Sequence, residues 1–463
     1  MSRLLKTIAF CILFIAPGEL LADLSAGVAK VKITPEKFMW MSGYAARKRP
    51  ADGKDTELWA KVLVLRDAKG KTLVLVTLDL IGIKRDLSLD IRKAAMDAHD
   101  LEMSQVALCT SHTHSGPVVG SNLIAMYFLK DEQRKLIDDY TITLRKKVAQ
   151  AIDEAMKDCK PATIAYAHGM CDFAVNRRNN PEREVPKLKE AGKLKGPVDH
   201  DVPVLTVRGQ DGKLRAIVFG YACHATVLDM FNWSGDYPGY AQHYVEEAHP
   251  GAVALFWAGC GADQNPIPRR QVALADKYGK QLAESVGKIV AGDMKTIMGD
   301  FAATYAEIDL PFAAIPSKEE LEGRLDVNTL YEVSRAKHLL SKIEADGKLS
   351  PTCPYPIQTW RIGSGEGSPR FVLLGGEVVV DFSLRIKKEH GDTTWIAGYT
   401  NDVMAYIPSL RVLREGGYEG AGAMVYYGQP SAWGESVEAA IMKDGNRPSA
   451  VRWGVRGGDV SRL

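Results

Sequence analysis

Val106-Ala107-Leu108-Cys109, running into Thr110-Ser111-His112-Thr113-His114-Ser115-Gly116-Pro117, is the stretch from which the rest of the chain can be read. Four consecutive apolar residues are what a buried strand requires, and Gly-Pro ends the segment in a turn. His112 and His114 therefore stand just beyond a strand end. In extended backbone, side chains two positions apart point to the same side, so both imidazoles can face one cavity. Neutral imidazole is a good zinc ligand, and a neighbouring imidazole can move protons near neutral pH. Taken alone, His-x-His is equally compatible with a polar loop whose rings bond backbone carbonyls.

The same arrangement, an apolar run delivering a polar loop, recurs along the chain. Residues 202–207 and 215–222 form a hairpin around the turn at 209–212 and lead to Cys223-His224-Ala225-Thr226. Residues 252–256 read as another buried strand, opening onto Gly259-Cys260-Gly261-Ala262-Asp263-Gln264-Asn265-Pro266. Its glycines permit close backbone approach to a ligand. Asp263 and Gln264 in that loop either orient water and substrate or build an Asx turn. Residues 371–374 run into Gly375-Gly376-Glu377 and then a helix to about residue 388, where Glu377 is a ligand or a dipole-favoured carboxylate. Residues 394–399 are the last core strand and precede Asn401, Tyr406 and Tyr418.

Upstream, residues 63–65 and 72–78 make a hairpin, and 87–99 have helical spacing. Leu136, Tyr140, Leu144, Val148 and Ile152 mark a long amphipathic helix. Strand 162–167 leads to the loop Asn176-Arg177-Arg178-Asn179-Asn180-Pro181, and residues 317–348 read as a peripheral, charged helical hairpin. The whole predicts an α/β fold: one large catalytic domain with a mixed sheet, flanking helices and its site in loops at strand ends.

Composition narrows the function. Among 463 residues, 59 basic and 57 acidic side chains give a net charge of +2 with no basic tract, which leaves nucleic acid without a footprint. Residues 1–22 have a basic start at Arg3 and Lys6, an apolar core over 7–16 and a break at Pro17-Gly18, the layout of a cleaved signal peptide. That core is too short to span a bilayer, so the expected mature chain is secreted or periplasmic with no transmembrane span. The expected organisation is a domain over 23–446 and a short flexible tail over 447–463. Six cysteines remain (Cys109, Cys159, Cys171, Cys223, Cys260, Cys353) without a Cys-x-x-Cys spacing, so a cysteine zinc site is not expected. Disulfides are permitted by export, but the cysteines read first as small buried apolar residues.

The chain resembles the neutral/alkaline non-lysosomal ceramidases in their amino-terminal catalytic domain. The resemblance rests on His-Thr-His-Ser-Gly-Pro at 112–117, Ile33-Thr34-Pro35 with Gly43-Tyr44-Ala45, Asn176-Arg177, Gly235-Asp236 with Gly239-Tyr240, Gly376-Glu377, Asn401, Tyr406 and Tyr418-Glu419-Gly420. It covers roughly residues 26–430. It implies a zinc ion held by His112, His224, Glu377 and Tyr406, with water completing the shell, and hydrolysis of an N-acyl amide in a small-molecule or lipid-like substrate. His114 would stabilise the developing oxyanion or protonate the leaving group, and Arg177 and Tyr418 would line the substrate site. Two departures stand out. Where the family carries a serine-bearing loop, this chain has 261–266 with neither Ser nor Thr, so the expectation is direct attack by zinc-activated water, with Asp263 assisting the proton transfers. The family's carboxy-terminal β-sandwich also has no counterpart in the resemblance. The alternatives are an esterase on the same scaffold, or a binding protein that retains the metal without catalysis.

Overall fold

Along Trp59–Arg66 and Thr72–Leu78 nearly every side chain is buried, and neighbours alternate between two different cores. Val62, Val64, Val74 and Val76 point to one side, where Ile91, Leu144 and Val148 of the helices Arg85–His99 and Asp131–Lys157 meet them. Leu63, Leu65, Leu73 and Leu75 point to the other, against Trp257, Trp360, Phe371 and Trp395. Period-two alternation with apolar residues on both faces is what a central, doubly covered sheet demands. These facts come from a computed structural model, which describes residues 24–445 except 366. The segments 1–22 and 447–463, expected to be signal peptide and tail, lie outside the described residues.

The large mixed sheet has the order Val253–Ala258, Leu214–Tyr221, Asp201–Gly209, Lys160–Met170, Ser25–Lys32, Trp59–Arg66, Thr72–Leu78, Val106–Thr110, with Lys295–Ile297 also pairing on Lys160–Met170. Its two outermost pairs are parallel and those between are antiparallel. A second sheet, Ala302–Pro311, Thr352–Arg361, Arg370–Leu374, Thr394–Ala397, packs on it through the tryptophan core. Trp257 stands 5.6 Å from Trp395 and 5.7 Å from Phe371, centroid to centroid. Two stacked sheets, rather than one, are the main difference from the sequence expectation.

Residues 398–401 stitch the two ends of the large sheet together. Gly398 N–H donates to Ala258 O, Thr110 N–H to Tyr399 O, and Asn401 N–H to Leu108 O, while Asn401 Oδ1 accepts from Leu108 N–H. Tyr399 and Asn401 adopt left-handed backbone (φ 52° and 65°), as does His112 (φ 60°). Non-glycine residues tolerate that region only where surrounding contacts enforce it. The six cysteines among the described residues are free thiols. Among the described residues no helix is long and apolar enough to cross a membrane.

Candidate metal centre

Four strand ends converge on one buried point. Val106–Thr110 delivers His112 and His114, Leu214–Tyr221 delivers His224, and Val253–Ala258 delivers the 259–266 loop. Arg370–Leu374 delivers Glu377 through Gly375-Gly376. Gly376 is required by two facts: φ is +75°, and a Cβ there would lie 2.5 Å from Ile407 Cγ1. Glu377–Val378 then pairs with Tyr406–Ile407, with Glu377 directly opposite Tyr406, which sets carboxylate and phenol side by side.

The two ligand-type histidines have fixed tautomers. His112 Nδ1 lies 2.6 Å from Ile81 O and His224 Nδ1 lies 2.9 Å from Gly261 O. A carbonyl oxygen only accepts, so each Nδ1 carries the proton and each Nε2 turns a lone pair inward. His112 Nε2 is 3.2 Å from His224 Nε2, 3.2 Å from His114 Nε2 and 3.1 Å from Glu377 Oε2. His224 Nε2 is 3.2 Å from both Glu377 Oε2 and Tyr406 Oη. Glu377 Oε2 is buried and has no hydrogen-bond partner. Acceptor atoms crowded this closely in a dry interior repel one another unless a cation lies between them. Ligands about 2.0–2.1 Å from a tetrahedral zinc centre are about 3.3 Å apart, close to the separations found. The three imidazoles alone bring ligand atoms within 4.8 Å of one another, so the cradle is one that could hold a metal ion.

Burial keeps His224 and His114 neutral. It pushes His224 down to about 4, with the Arg177 guanidinium adding to the effect, so the ring is neutral at neutral pH. Burial, then His112 and His224, push His114 well below the ordinary imidazole range. For Glu377, burial raises the pKa, while a proton on the facing His112 or His224 lowers it and carries the carboxyl well below the usual range.

The surrounding residues orient the cradle. Tyr427 donates its hydroxyl to Glu377 Oε1, leaving Oε2 as the inward oxygen. The ring of Tyr399 lies 4.4 Å from that of His112. Arg47, buried, donates to the backbone oxygens of Ser42, His114 and Met230 and so pins the His114 turn. Tyr427, Tyr399 and Arg47 carried no recognisable signal in the sequence: each acts through contacts distant along the chain.

The expected substrate-site residues gather at one side. Arg177 donates to Glu419 (2.7 Å), Asn265 (3.3 Å) and Tyr406 Oη (3.2 Å). Tyr418, 43% exposed, stacks edge-on to Tyr406 at 5.2 Å and opens with Arg177 onto a cleft of ≈ 470 Å³. Asp263 is placed differently from the other candidates. Its carboxylate accepts from Val380 N–H (2.8 Å) and Asn176 Nδ2 (3.3 Å), and burial raises it to about 6. Gln264 bonds Ala222 O and Asp199 N–H, so the 261–266 loop braces the site with its side chains engaged.

Known proteins share this framework. A sequence profile of the neutral/alkaline non-lysosomal ceramidase amino-terminal region matches residues 25–306. Neutral ceramidase 1 of Arabidopsis thaliana is 26% identical over 264 residues, covering 54% of this chain and 33% of that protein. The chain thus matches about a third of the length of this curated relative. The crystal structure of neutral ceramidase from Pseudomonas aeruginosa superposes with a TM-score of 0.69 at 20% identity, over 92% of this chain and 73% of that one. A ceramidase solved in complex with C2 gives 0.70 at 19% identity, over 96% and 78%. With a profile match extending over more than half its length and the fold in common, this chain belongs to the neutral/alkaline non-lysosomal ceramidase family.

Proposed function

We propose that the protein is an exported, zinc-dependent amidohydrolase that cleaves an N-acyl amide in a small-molecule or lipid-like substrate by direct attack of water. The observation that carries this reading is the unpartnered Glu377 Oε2 facing the inward lone pairs of His112 and His224. His112, His224, Glu377 and Tyr406 would hold the metal, and this set of nitrogen and oxygen donors suits zinc. The ion supplies Lewis acidity for the scissile carbonyl and acidifies water towards neutral pH. His114, whose Nδ1 has no partner, is the group best situated to receive and return the proton. Arg177, tethered by Glu419, would orient substrate beside Tyr418. Position 264 offers a glutamine with both ends hydrogen bonded, so no hydroxyl nucleophile is available there. Residues 23–446 would form the catalytic domain.

Turnover of fluorogenic N-acyl amides and esters, with and without chelator, tests this reading. Chelator-sensitive amide cleavage is expected; activity confined to esters would replace it with an esterase, and inactivity on both with a metal-binding protein. Export predicts a mature amino terminus near Asp23, and intact Met1 on protein recovered outside the cytoplasm would count against it.

Two substitutions probe the support of the cradle. Tyr427→Phe removes the donor to Glu377 Oε1 and should weaken zinc about 10–100-fold in chelator competition. Unchanged zinc affinity would show that the hydroxyl does not position the carboxylate. Gly43 has φ +100°, and a Cβ there would lie 2.5 Å from His114 Nδ1. Gly43→Ala should therefore displace the ring and lower kcat about a hundredfold while zinc content stays near wild type; an unaffected kcat would remove His114 from proton transfer.

A further inference from the structure

A second cavity, ≈ 560 Å³, lies on the far side of the segment that supports Glu377. Gly376 N–H donates to Asp402 O and Glu377 N–H to Ala405 O, so residues 402–405 back the metal cradle with one face. With the other, Asp402 and Met404 line this cavity. Its volume is that of a small-molecule site.

Three features of the lining bear on what it could hold. Asp402 is 3% exposed and its carboxyl faces the Arg85 amide and the Lys84 ammonium, yet its Oδ1 has no hydrogen-bond partner. The half-buried Lys84 side chain makes no hydrogen bond or close ion pair among the described residues, with the Asp402 and Asp86 carboxyls as its nearby opposite charges. Burial and the nearby Lys342 ammonium, also on the lining, push its pKa down. Lys84 is also the N-cap of the helix Arg85–His99 and its side chain makes no capping bond, so the cavity meets the positive end of a fifteen-residue helix. By contrast, Arg85 is bound to Glu307 at 2.6 and 2.9 Å. On the same lining Asp86 accepts from Leu87 N–H at 2.9 Å, and Asp346 and Lys348 are exposed.

A ligand that fits must bring acceptors to the two lysines and a donor to Asp402. A carboxylate or sulfate supplies only acceptors at neutral pH. A phosphate group supplies both, because it carries about −1.5 to −2 charge at pH 7 and is still partly protonated. We propose that this cavity binds a phosphate-bearing small molecule, held by Lys84 and Lys342 at the positive end of the helix, with the phosphate hydroxyl donating to Asp402.

Isothermal titration of the metal-loaded full chain with inorganic phosphate, glycerol phosphate and sulfate tests the assignment. Phosphate should bind saturably and about tenfold or more tighter than sulfate, as expected for one charge-assisted hydrogen bond. Tighter glycerol phosphate would identify an ester as the ligand, and preference for inorganic phosphate the free ion. Lys84→Met should weaken phosphate about tenfold. Asp402→Asn should narrow the gap by improving sulfate, a gain that misfolding cannot produce. Absence of saturable phosphate binding, equal binding of sulfate, or binding indifferent to both substitutions would overturn the proposal. The last result would also place the ion on the metal, since neither residue belongs to the cradle.

Discussion

Replacing His224 by alanine is expected to cut N-acyl amide turnover by about a thousandfold or more and to strip the protein of its metal. The Nε2 of His224 sits within 3.2 Å of three other donor atoms, on His112, Glu377 and Tyr406. Its removal leaves the others too few and too far apart to close a shell. Lewis-acid stabilisation is worth several kcal/mol, and each ~1.4 kcal/mol is tenfold in rate, which sets the size of the loss. Metal-free protein should nonetheless stay folded, because the strands that bring these residues together are held by the two cores and not by the ion. Kinetics alongside circular dichroism separates the cases: a folded variant with wild-type turnover would refute the role of His224.

Asp236→Ala is expected to destabilise the protein by about 3 kcal/mol or more, by denaturant unfolding. Asp236 is fully buried at the start of the helix Asp236–Ala248, in left-handed backbone at φ 56°. Its carboxylate accepts from the amides of Val227 (3.3 Å), Leu228 (2.9 Å) and Tyr237 (2.7 Å). Each buried donor left without a partner costs about 1–3 kcal/mol. Val227 and Leu228 close the turn that begins at His224, so zinc affinity should fall with stability. Asp236→Asn, which keeps one acceptor oxygen, should lose less. Equal losses from both substitutions would mean that the charge matters and the amide contacts do not.

The histidines were legible in the sequence because their chemistry and their strand share one short segment. Apolar residues 106–109 announce the strand, and two imidazoles follow at the spacing that turns both inward. His224 and Glu377 needed the family resemblance, since a lone His after a strand and a Glu after two glycines have ordinary structural explanations. Tyr427 and Arg47 were hidden because they act across 50 and 67 residues of chain. No local pattern encodes such contacts. Of the second sheet, residues 371–374 and 394–399 are legible as strands, whereas Thr352–Arg361 contains Pro354 and Pro356, which argue against one. It forms because tertiary pairing with Ala302–Pro311 and Arg370–Leu374 overrides that local signal. The helix Val272–Ala291 carries a glycine at position 279, where a Cβ would lie 2.4 Å from Tyr240 Cβ. A residue that weakens a helix locally is there retained for close packing.

The measurement that bears most directly on the account is the metal content of the purified full chain. Elemental analysis by plasma mass spectrometry should be run on wild type and on the His112→Ala, His224→Ala double variant, both dialysed against zinc. One zinc per wild-type chain and none in the variant is the predicted result. A wild-type chain that takes up no zinc, or a variant that holds as much as wild type, would contradict it.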